Sequence, residues 1–329
     1  MIEWDMKVLK FILIPTATFL ILYMVWSRFG SVGDSKEVKV FVVPENTENF
    51  DVSKALQDQK FIRDSGAFQF LLDNFSGGYD VKAGGYRLSQ DMNAWAVMKK
   101  ITGNADLVWF TESFCVRREQ LGEYLADALN WNDSQLVSWN SFYKNLGSDY
   151  FEGVYYPDTY LIPLDETPEA VAQRFINNFN QKMSPLLPQF ADKNIKWTTG
   201  VKIASLIARE AAGAKDMKLI SGIIWNRLDT GMRLQIDATM QYTLGKNENG
   251  KWWGSVNIAE KKSDSPYNSY LNEGLPPTPI CSPGIDAIEA ALNPETTECL
   301  YYLHDVYKEI HCAKTYKEHL ANIDKYLNY

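Results

Sequence analysis

The 329-residue sequence lacks the short motifs that carry several large classes of enzyme chemistry. It contains no G-x-S-x-G, H-E-x-x-H, P-loop or dinucleotide fingerprint, which argues against serine hydrolysis, zinc proteolysis and nucleotide chemistry. The four cysteines and three histidines show no C-x-x-C spacing and no other metal-ligand rhythm. The sequence therefore predicts an activity that needs neither a cofactor nor a metal ion.

Basic residues are also fewer than acidic residues. Lys and Arg number 33 against 41 Asp and Glu, so the formal net charge is -8, which argues against nucleic acid as a partner. No segment repeats at a fixed period, which excludes solenoids and propellers. Since 46% of the residues are hydrophobic, the composition also excludes a disordered protein and allows two or three folded domains.

One long apolar run stands near the N-terminus. Val8–Trp26 has a single charge, Lys10, close to one end, and is about the length that crosses a bilayer core. A cleaved signal peptide is the alternative, but the run is long for that and no A-x-A-like site follows it. We predict a retained transmembrane helix, with residues 1–34 forming a cytoplasmic stub, the helix and a tether.

Helical and extended patterns alternate after this run. Helix-like spacing or strand-like composition occurs, in chain order, at Val38–Val43 (strand), Val52–Gln59, Ser65–Phe75 (helices), Tyr86–Leu88 (strand) and Met92–Ile101 (helix). This alternation predicts a small α+β module over residues 35–105.

The remaining residues, 106–329, are expected to form a larger α+β domain. The predicted elements are a strand at Asp106–Phe110, helices at Glu119–Leu129, Thr167–Lys182, Lys215–Leu228, Ile285–Leu292 and Lys317–Leu327, and a strand at Leu300–His304 that pairs with one ending near His311. Gln235, Asp237 and Thr239 alternate as in an extended segment, which places three polar side chains on one face. The fold class predicted for the whole chain is α+β.

A carboxyl on an apolar helix face is the strongest chemical signal. Ile203, Leu206, Ile207, Glu210 and Ala214 recur at helical spacing, so Glu210 lies in line with an isoleucine-leucine stripe. Burial raises the pKa of a carboxyl, and one that stays protonated near neutral pH can act as a general acid. A glutamate at the helix edge, hydrogen-bonded or paired with an arginine, is the structural alternative. Spacing alone leaves both open.

Three further points stay undecided at the level of single residues. Glu210 with Asp237 would supply the two carboxylates that most glycosidases use, although sequence gives no distance between them. Cys299 and Cys312 either form a disulfide in an oxidising compartment or remain buried thiols. Thr198 or Thr199 is the expected N-cap of the helix that carries Glu210.

Several motifs in series resemble the YceG-like (MltG-type) endolytic murein transglycosylases. They are E-G-V-Y-Y-P-D-T-Y from Glu152, A-S-L-I-A-R-E-A, I-I-W-N-R-L-x-x-G-M-R-L-Q-I-D-A-T, Y-N-S-Y, G-L-P-P-T-P-I-C-S-P-G, A-L-N-P and H-x-x-x-T-x-x-E-H from His311. K-A-G-G-Y-R-L resembles the LysM-like module of that family. The motifs occur in the family's order and cover essentially the whole chain.

The resemblance implies a single-pass inner-membrane protein whose C-terminal domain is periplasmic and cuts peptidoglycan strands internally. The implied reaction is non-hydrolytic cleavage of the MurNAc-β-1,4-GlcNAc bond with a 1,6-anhydro-MurNAc end, and Glu210 falls on the family's catalytic glutamate. The implied partners are peptidoglycan glycan strands, the membrane and peptidoglycan synthases. A hydrolytic muramidase using Glu210 and Asp237, or a non-catalytic peptidoglycan-binding scaffold, are the alternatives.

The resemblance also supplies candidate substrate-binding residues. These are Asn226, Arg227, Gln235, Asp237, Tyr267, Asn268, Tyr270, His311, Thr315 and His319. For each, a purely structural hydrogen bond is the alternative role. The sequence departs from the family pattern at Ala208, which replaces the first glutamate of the catalytic motif, and at Ala238 and Ala313.

Overall fold

The computed structural model describes residues 6–46, 48, 50–78, 80–112 and 115–327. The chain divides into two compact units. Unit 1 comprises Met1–Phe110 with Tyr160–Asp165, and unit 2 comprises Thr111–Thr159 with Glu166–Tyr329. Helices and strands occur in both, so the predicted α+β class is confirmed.

Unit 1 is built around a four-stranded sheet in the order β1-β2-β3-β4. Its elements are α1 (Met6–Phe29), β1 (Lys39–Val43), α2 (Val52–Asp58), α3 (Ser65–Phe75), β2 (Gly84–Leu88), α4 (Ala94–Ile101), β3 (Leu107–Thr111) and β4 (Thr159–Pro163). β1 pairs antiparallel with β2, with Phe41 opposite Tyr86. These two rings and the inner faces of α2, α3 and α4 form the core. The LysM-like character of this unit stays a prediction.

Helix α1 covers the stretch predicted to cross a membrane. In the described part of the chain, no helix is both long enough and apolar enough to span a bilayer. The predicted transmembrane span Val8–Trp26 is therefore not confirmed. The predicted cytoplasmic stub includes residues 1–5, which lie outside the described residues, as do the side chains of residues 6–13. The predicted tether is partly helical, because α1 continues to Phe29.

Unit 2 carries the remaining elements. They are α5 (Arg118–Leu129), α6 (Asp133–Phe142), α7 (Pro168–Met183), α8 (Leu187–Asp192), α9 (Trp197–Glu210), α10 (Met217–Asp229), α11 (Asp237–Leu244), α12 (Ile285–Leu292), β5 (Tyr301–His304), β6 (Ile310–Ala313) and α13 (Tyr316–Tyr326). β5 and β6 form an antiparallel hairpin, as the sequence predicts.

Helix α9 is the central element of unit 2. Its side chains Ile203, Leu206 and Ile207 are fully buried, and each such burial contributes about 1.5–3 kcal/mol. The helix packs against α10 and α12. Gly200 lets α8 approach, because a Cβ at this position would lie 2.2 Å from the Phe190 ring. The apolar stripe inferred from spacing therefore anchors the helix that ends at Glu210.

Two local predictions in this unit are wrong. Asp237 and Thr239 do not lie in an extended segment, because α11 begins at Asp237, where a carboxylate suits the positive end of the helix dipole. Neither Thr198 nor Thr199 caps α9, since Lys196 occupies the cap position and makes no side-chain cap bond.

All four cysteines are paired. Cys115 is bonded to Cys281, and Cys299 is bonded to Cys312. The second bond is one of the two alternatives that the sequence leaves open. The first places Cys281 against α9, where its Sγ lies 3.5 Å from the carbonyl oxygen of Ser205.

Candidate active site

Glu210 is the last residue of α9, and its carboxyl is held by a tyrosine from the β5–β6 hairpin. The Tyr302 hydroxyl donates a hydrogen bond of 2.7 Å to Oε2 of Glu210. Burial raises the pKa of Tyr302 well above its ordinary value, so the phenol keeps its proton and remains a donor. One oxygen of Glu210 is thereby fixed, which leaves Oε1 as the oxygen available for chemistry.

The surroundings favour the protonated form of Glu210. Burial raises its pKa, and the negative charge of Asp237 adds to this, while Tyr302, His304 and Arg209 act in the opposite direction. Its place at the carboxyl end of α9 also disfavours a negative charge, since the helix dipole is negative there. A carboxyl with a raised pKa can donate a proton near neutral pH and take one back afterwards.

The turn after α9 is fastened by Asp216. Its carboxylate accepts hydrogen bonds from the backbone N–H of Ala212 at 2.9 Å and of Gly213 at 3.2 Å. The same carboxylate contacts Nε2 of His304 at 2.6 Å. Asp216 therefore joins the end of the Glu210 helix to strand β5.

Asp237 belongs to a second polar cluster near Glu210. Its Oδ1 lies 2.8 Å from Nζ of Lys261 and accepts a hydrogen bond from the hydroxyl of Tyr270. Lys261 also lies 2.9 Å from the Tyr270 hydroxyl. Asp237 is thus a carboxylate paired with a cation, and its charge acts on Glu210.

The structure places Asn226 and Arg227 in hydrogen bonds to backbone carbonyls. Asn226 donates to Thr297 and Cys299, at 2.8 and 3.1 Å. Arg227 donates from Nε to the carbonyl of Leu300 at 2.6 Å. Both side chains thereby fasten α10 to the segment that leads into β5, and this is the structural alternative considered from the sequence.

The residues of the Y-N-S-Y motif, which begins at Tyr267, differ in their contacts. Asn268 is fully buried and donates to the backbone carbonyls of Lys261 and Ser263, so it shapes the loop that carries Tyr270. Tyr267 stands 2.9 Å from the Thr278 hydroxyl, and its ring packs on Tyr242.

Gln235 precedes α11 in a left-handed backbone conformation. Its φ is 52°, and its N–H donates to the carbonyl of Ser269 at 3.0 Å. The residue therefore connects the segment before Asp237 to the Y-N-S-Y loop. Its side chain is exposed.

The described contacts of His311, Thr315 and His319 do not include Glu210. His311 pairs with Leu303 in the hairpin, so its side chain leaves the face opposite to Tyr302. It contacts Asp305 at 2.9 Å and stacks on Tyr326. Thr315 is the N-cap of α13 in a capping box. His319, in the same helix, stacks on the ring of Tyr301.

Sequence reasoning missed four functional candidates, which are Tyr302, His304, Asp216 and Lys261. The strand Leu300–His304 was predicted, and its alternation already puts Tyr302 and His304 on one face. The missing information was which face meets α9, because Tyr302 and Glu210 are 92 residues apart in sequence.

Replacing Tyr302 by phenylalanine is expected to lower kcat/KM about tenfold, since one hydrogen bond that positions the Glu210 carboxyl is lost. This bond lowers the pKa of Glu210, so its removal raises that pKa further. The pH at which activity falls on the alkaline side is then expected to increase. The check is a pH profile of kcat/KM for the cleavage that the motif resemblance implies. Tyr301→Phe, on the other face of β5, is the control and should leave the profile in place.

A second buried carboxyl, Glu152, lies elsewhere in unit 2. It is 1% exposed and accepts hydrogen bonds from the backbone N–H of Arg118 and of Gly153. Burial and the neighbouring Glu119 raise its pKa to about 7. It also lines a cavity of about 210 Å³ with Trp197 and Lys202. Glu152 thus joins the E-G-V-Y-Y-P-D-T-Y stretch to the first residue of helix α5.

Glu152 is expected to make stability depend on pH. Its folded-state pKa of about 7 exceeds the ordinary 4.5, so its contribution is complete below pH 4.5 and is lost as the pH rises through 7. Glu152→Gln keeps an acceptor for the two N–H groups but cannot ionise. Between pH 4.5 and 8, the free energy of unfolding of the wild type should fall by about 3 kcal/mol relative to the variant. Urea unfolding at both pH values measures this, and a constant difference would contradict it.

No metal site was found among the residues described. Within them, no group of three or more His, Cys, Asp and Glu side chains is arranged to hold an ion.

The family model described as the YceG-like family matches residues 41–325. The chain belongs to the YceG-like family. An endolytic murein transglycosylase of Bacillus subtilis (strain 168) is 27% identical over 317 residues, which are 90% of this chain and 86% of that protein.

Two other proteins extend the comparison of this YceG-like chain. An endolytic murein transglycosylase of Streptococcus pneumoniae serotype 2 is 34% identical over 188 residues, which are 56% of this chain and 34% of that protein. The crystal structure of a YceG-like protein from Listeria monocytogenes superimposes with a TM-score of 0.59 at 25% identity. It covers 87% of this chain and 99% of the Listeria chain.

Proposed function

We propose that this YceG-like protein is an endolytic lytic transglycosylase of peptidoglycan, with Glu210 as its single general acid and base. The observation that carries the proposal is a carboxyl of raised pKa whose one oxygen is held by Tyr302. The relatives named endolytic murein transglycosylases support the substrate class.

The proposed reaction needs one carboxyl and no water. Protonated Glu210 gives its proton to the glycosidic oxygen as the bond from C1 of MurNAc to that oxygen breaks. The resulting carboxylate takes the proton of the MurNAc C6 hydroxyl, whose oxygen bonds to C1. The products are a GlcNAc hydroxyl and a 1,6-anhydro-MurNAc end, and Glu210 is protonated again.

Asp237 contributes to this reaction through its charge. In the hydrolytic alternative, Asp237 would act as nucleophile or base, as in glycosidases with two carboxylates. Its pairing with Lys261 and its bond from Tyr270 favour a fixed carboxylate that raises the pKa of Glu210.

Digestion of purified glycan strands tests the proposed function. Mass spectrometry of the products is expected to show cleavage at bonds in the interior of strands. The new ends should be lighter by one water than reducing ends. Reducing ends alone would identify a hydrolase. Binding of strands without any cleavage would identify a non-catalytic scaffold.

We further propose that the chain is anchored in the inner membrane by its N-terminal helix, with the C-terminal part in the periplasm. The apolar run Val8–Trp26 and the exposed side chains of Phe19, Leu20 and Ile21 support this placement. The two disulfides fit an oxidising compartment. There the protein would meet glycan strands and the synthases that make them. Membrane fractionation with protease added outside spheroplasts tests both parts.

A further inference from the structure

Arg209, the residue before Glu210, is a partly buried cation without a hydrogen-bond partner in the described part of the chain. Its Nε is buried and unpaired. Three other buried or partly buried arginines of unit 2, namely Arg117, Arg118 and Arg227, each donate at least one side-chain hydrogen bond to a carboxylate or carbonyl, although the Nε of Arg118 is also unpaired. A buried donor that lacks a partner is costly, so an unpaired guanidinium here needs an explanation.

The guanidinium of Arg209 is held by an aromatic ring. Its central carbon lies 3.9 Å from the centre of the Trp253 ring, close enough for a cation–π interaction. The indole of Trp253 donates to Oε1 of Gln120 at 2.7 Å, and Gln120 in turn donates to the hydroxyl of Tyr124 at 2.6 Å. The ring is therefore fixed to helix α5.

The backbone conformation of Trp253 also indicates that its ring is held in a fixed position. Its φ is 59°, in the left-handed region that bulky side chains rarely adopt. Such conformations persist where the surroundings impose them, and they cluster at ligand sites. The neighbouring Trp252 donates to Oε2 of Glu123 at 2.9 Å, which fastens the loop at a second point. The loop thus keeps an aromatic ring under Arg209.

A guanidinium positioned in this way has a specific ligand chemistry. Its planar donors match the two oxygens of a carboxylate, and stacking on a ring leaves the edge of the plane free for hydrogen bonds. Arg209 and Glu210 are also near enough for each charge to act on the other. A ligand carboxylate at Arg209 would therefore lie beside the reacting carboxyl.

We propose that Arg209, held against Trp253, binds a carboxylate of the glycan substrate next to Glu210. The proposal rests on the proposed function and names a group that the site recognises. Two sources carry this group: the lactyl carboxylate of MurNAc in strands without peptides, and the carboxylates of stem peptides where these are present.

Binding to an inactive enzyme tests the subsite without requiring turnover. In the Glu210→Gln protein, affinity is measured for peptide-free glycan strands and for the same strands after conversion of the lactyl carboxylates to carboxamides. We expect about tenfold tighter binding of the carboxylate form. Adding Arg209→Met should abolish the difference. An equal preference with and without Arg209 would overturn the proposal, and so would the absence of any dependence on Arg209 both in these strands and in strands with intact stem peptides.

Three further arms sharpen the test. Strands with intact stem peptides identify the peptide as the source if they alone show the dependence on Arg209. Arg209→Lys keeps the charge but loses the planar fork, so it should show a reduced preference for the carboxylate form. This intermediate preference would show that the loss of preference in Arg209→Met does not reflect misfolding. Lys218→Met removes an exposed cation of α10 and should keep the full preference. Wild-type product analysis tests the proposed function separately, so the failure of one is distinguishable from the failure of the other.

Discussion

Replacing Glu210 by glutamine is expected to lower the rate of glycan cleavage by about 10²- to 10⁴-fold, the usual contribution of a positioned general acid. The amide cannot donate a proton to the glycosidic oxygen and cannot remove one from the C6 hydroxyl. It can still accept the hydrogen bond from Tyr302, so the site should keep its geometry. Initial rates on purified strands measure the effect.

The control for Glu210→Gln is a second buried glutamate that the proposed mechanism does not use. Glu152→Gln removes a carboxyl whose pKa is also raised, but which bonds to the backbone of Arg118 and Gly153. It should retain cleavage under conditions in which both variants are folded. Full activity in Glu210→Gln would contradict the assignment of Glu210.

Loss of the Cys115–Cys281 disulfide is expected to lower the free energy of unfolding by about 5 kcal/mol. The bond joins residues 166 apart in sequence, and closure of a loop this long removes much entropy from the unfolded chain. Both side chains are buried, so Cys115→Ala with Cys281→Ala leaves little new exposed surface. Urea unfolding of the double variant measures the loss.

The second disulfide provides a matched comparison. Cys299 and Cys312 are 13 residues apart, and the same chain-entropy argument gives about 3 kcal/mol. The variant without this bond should therefore unfold at a higher urea concentration than the variant without the first. Equal stability of wild type and the Cys115, Cys281 variant would show that the long bond does not constrain the unfolded chain.

Much of the secondary structure follows from local pattern. Helices Ser65–Phe75 and Ile285–Leu292 have the bounds expected from apolar spacing. Helix α6, by contrast, was not predicted, because Trp139 is its only buried residue among those described and its apolar stripe is weak. Its capping box, made by Asn132 and Gln135, was the signal that could have located it.

The error at Asp237 has a different origin. The polar residues at 235, 237 and 239 alternate, and a period of two is the strand pattern. Asp237 is nevertheless the first residue of α11, and the buried Thr239 hydroxyl bonds to the carbonyl of Ile236. A short helix start can thus mimic an extended segment.

Some residues of the candidate site could be predicted from local sequence pattern, and others depend on contacts between distant segments. Helical spacing from Ile203 and Ile207 drew attention to Glu210, and the motif resemblance implied its catalytic role. Tyr302 and His304 were not, because strand alternation defines their common face but not what that face contacts. Those contacts depend on how distant segments pack, which a single sequence does not contain. The Cys115–Cys281 pairing was missed for the same reason.

The most direct test of the central claim is the origin of the oxygen at the newly formed MurNAc end. Strands are digested in water enriched in oxygen-18 by the wild type and by Asp237→Asn, and the new ends are weighed by mass spectrometry. With Glu210 as the single acid and base, the ends are 1,6-anhydro and unlabelled in both proteins. Labelled reducing ends from the wild type, together with their loss in Asp237→Asn, would show hydrolysis by two carboxylates and contradict the account.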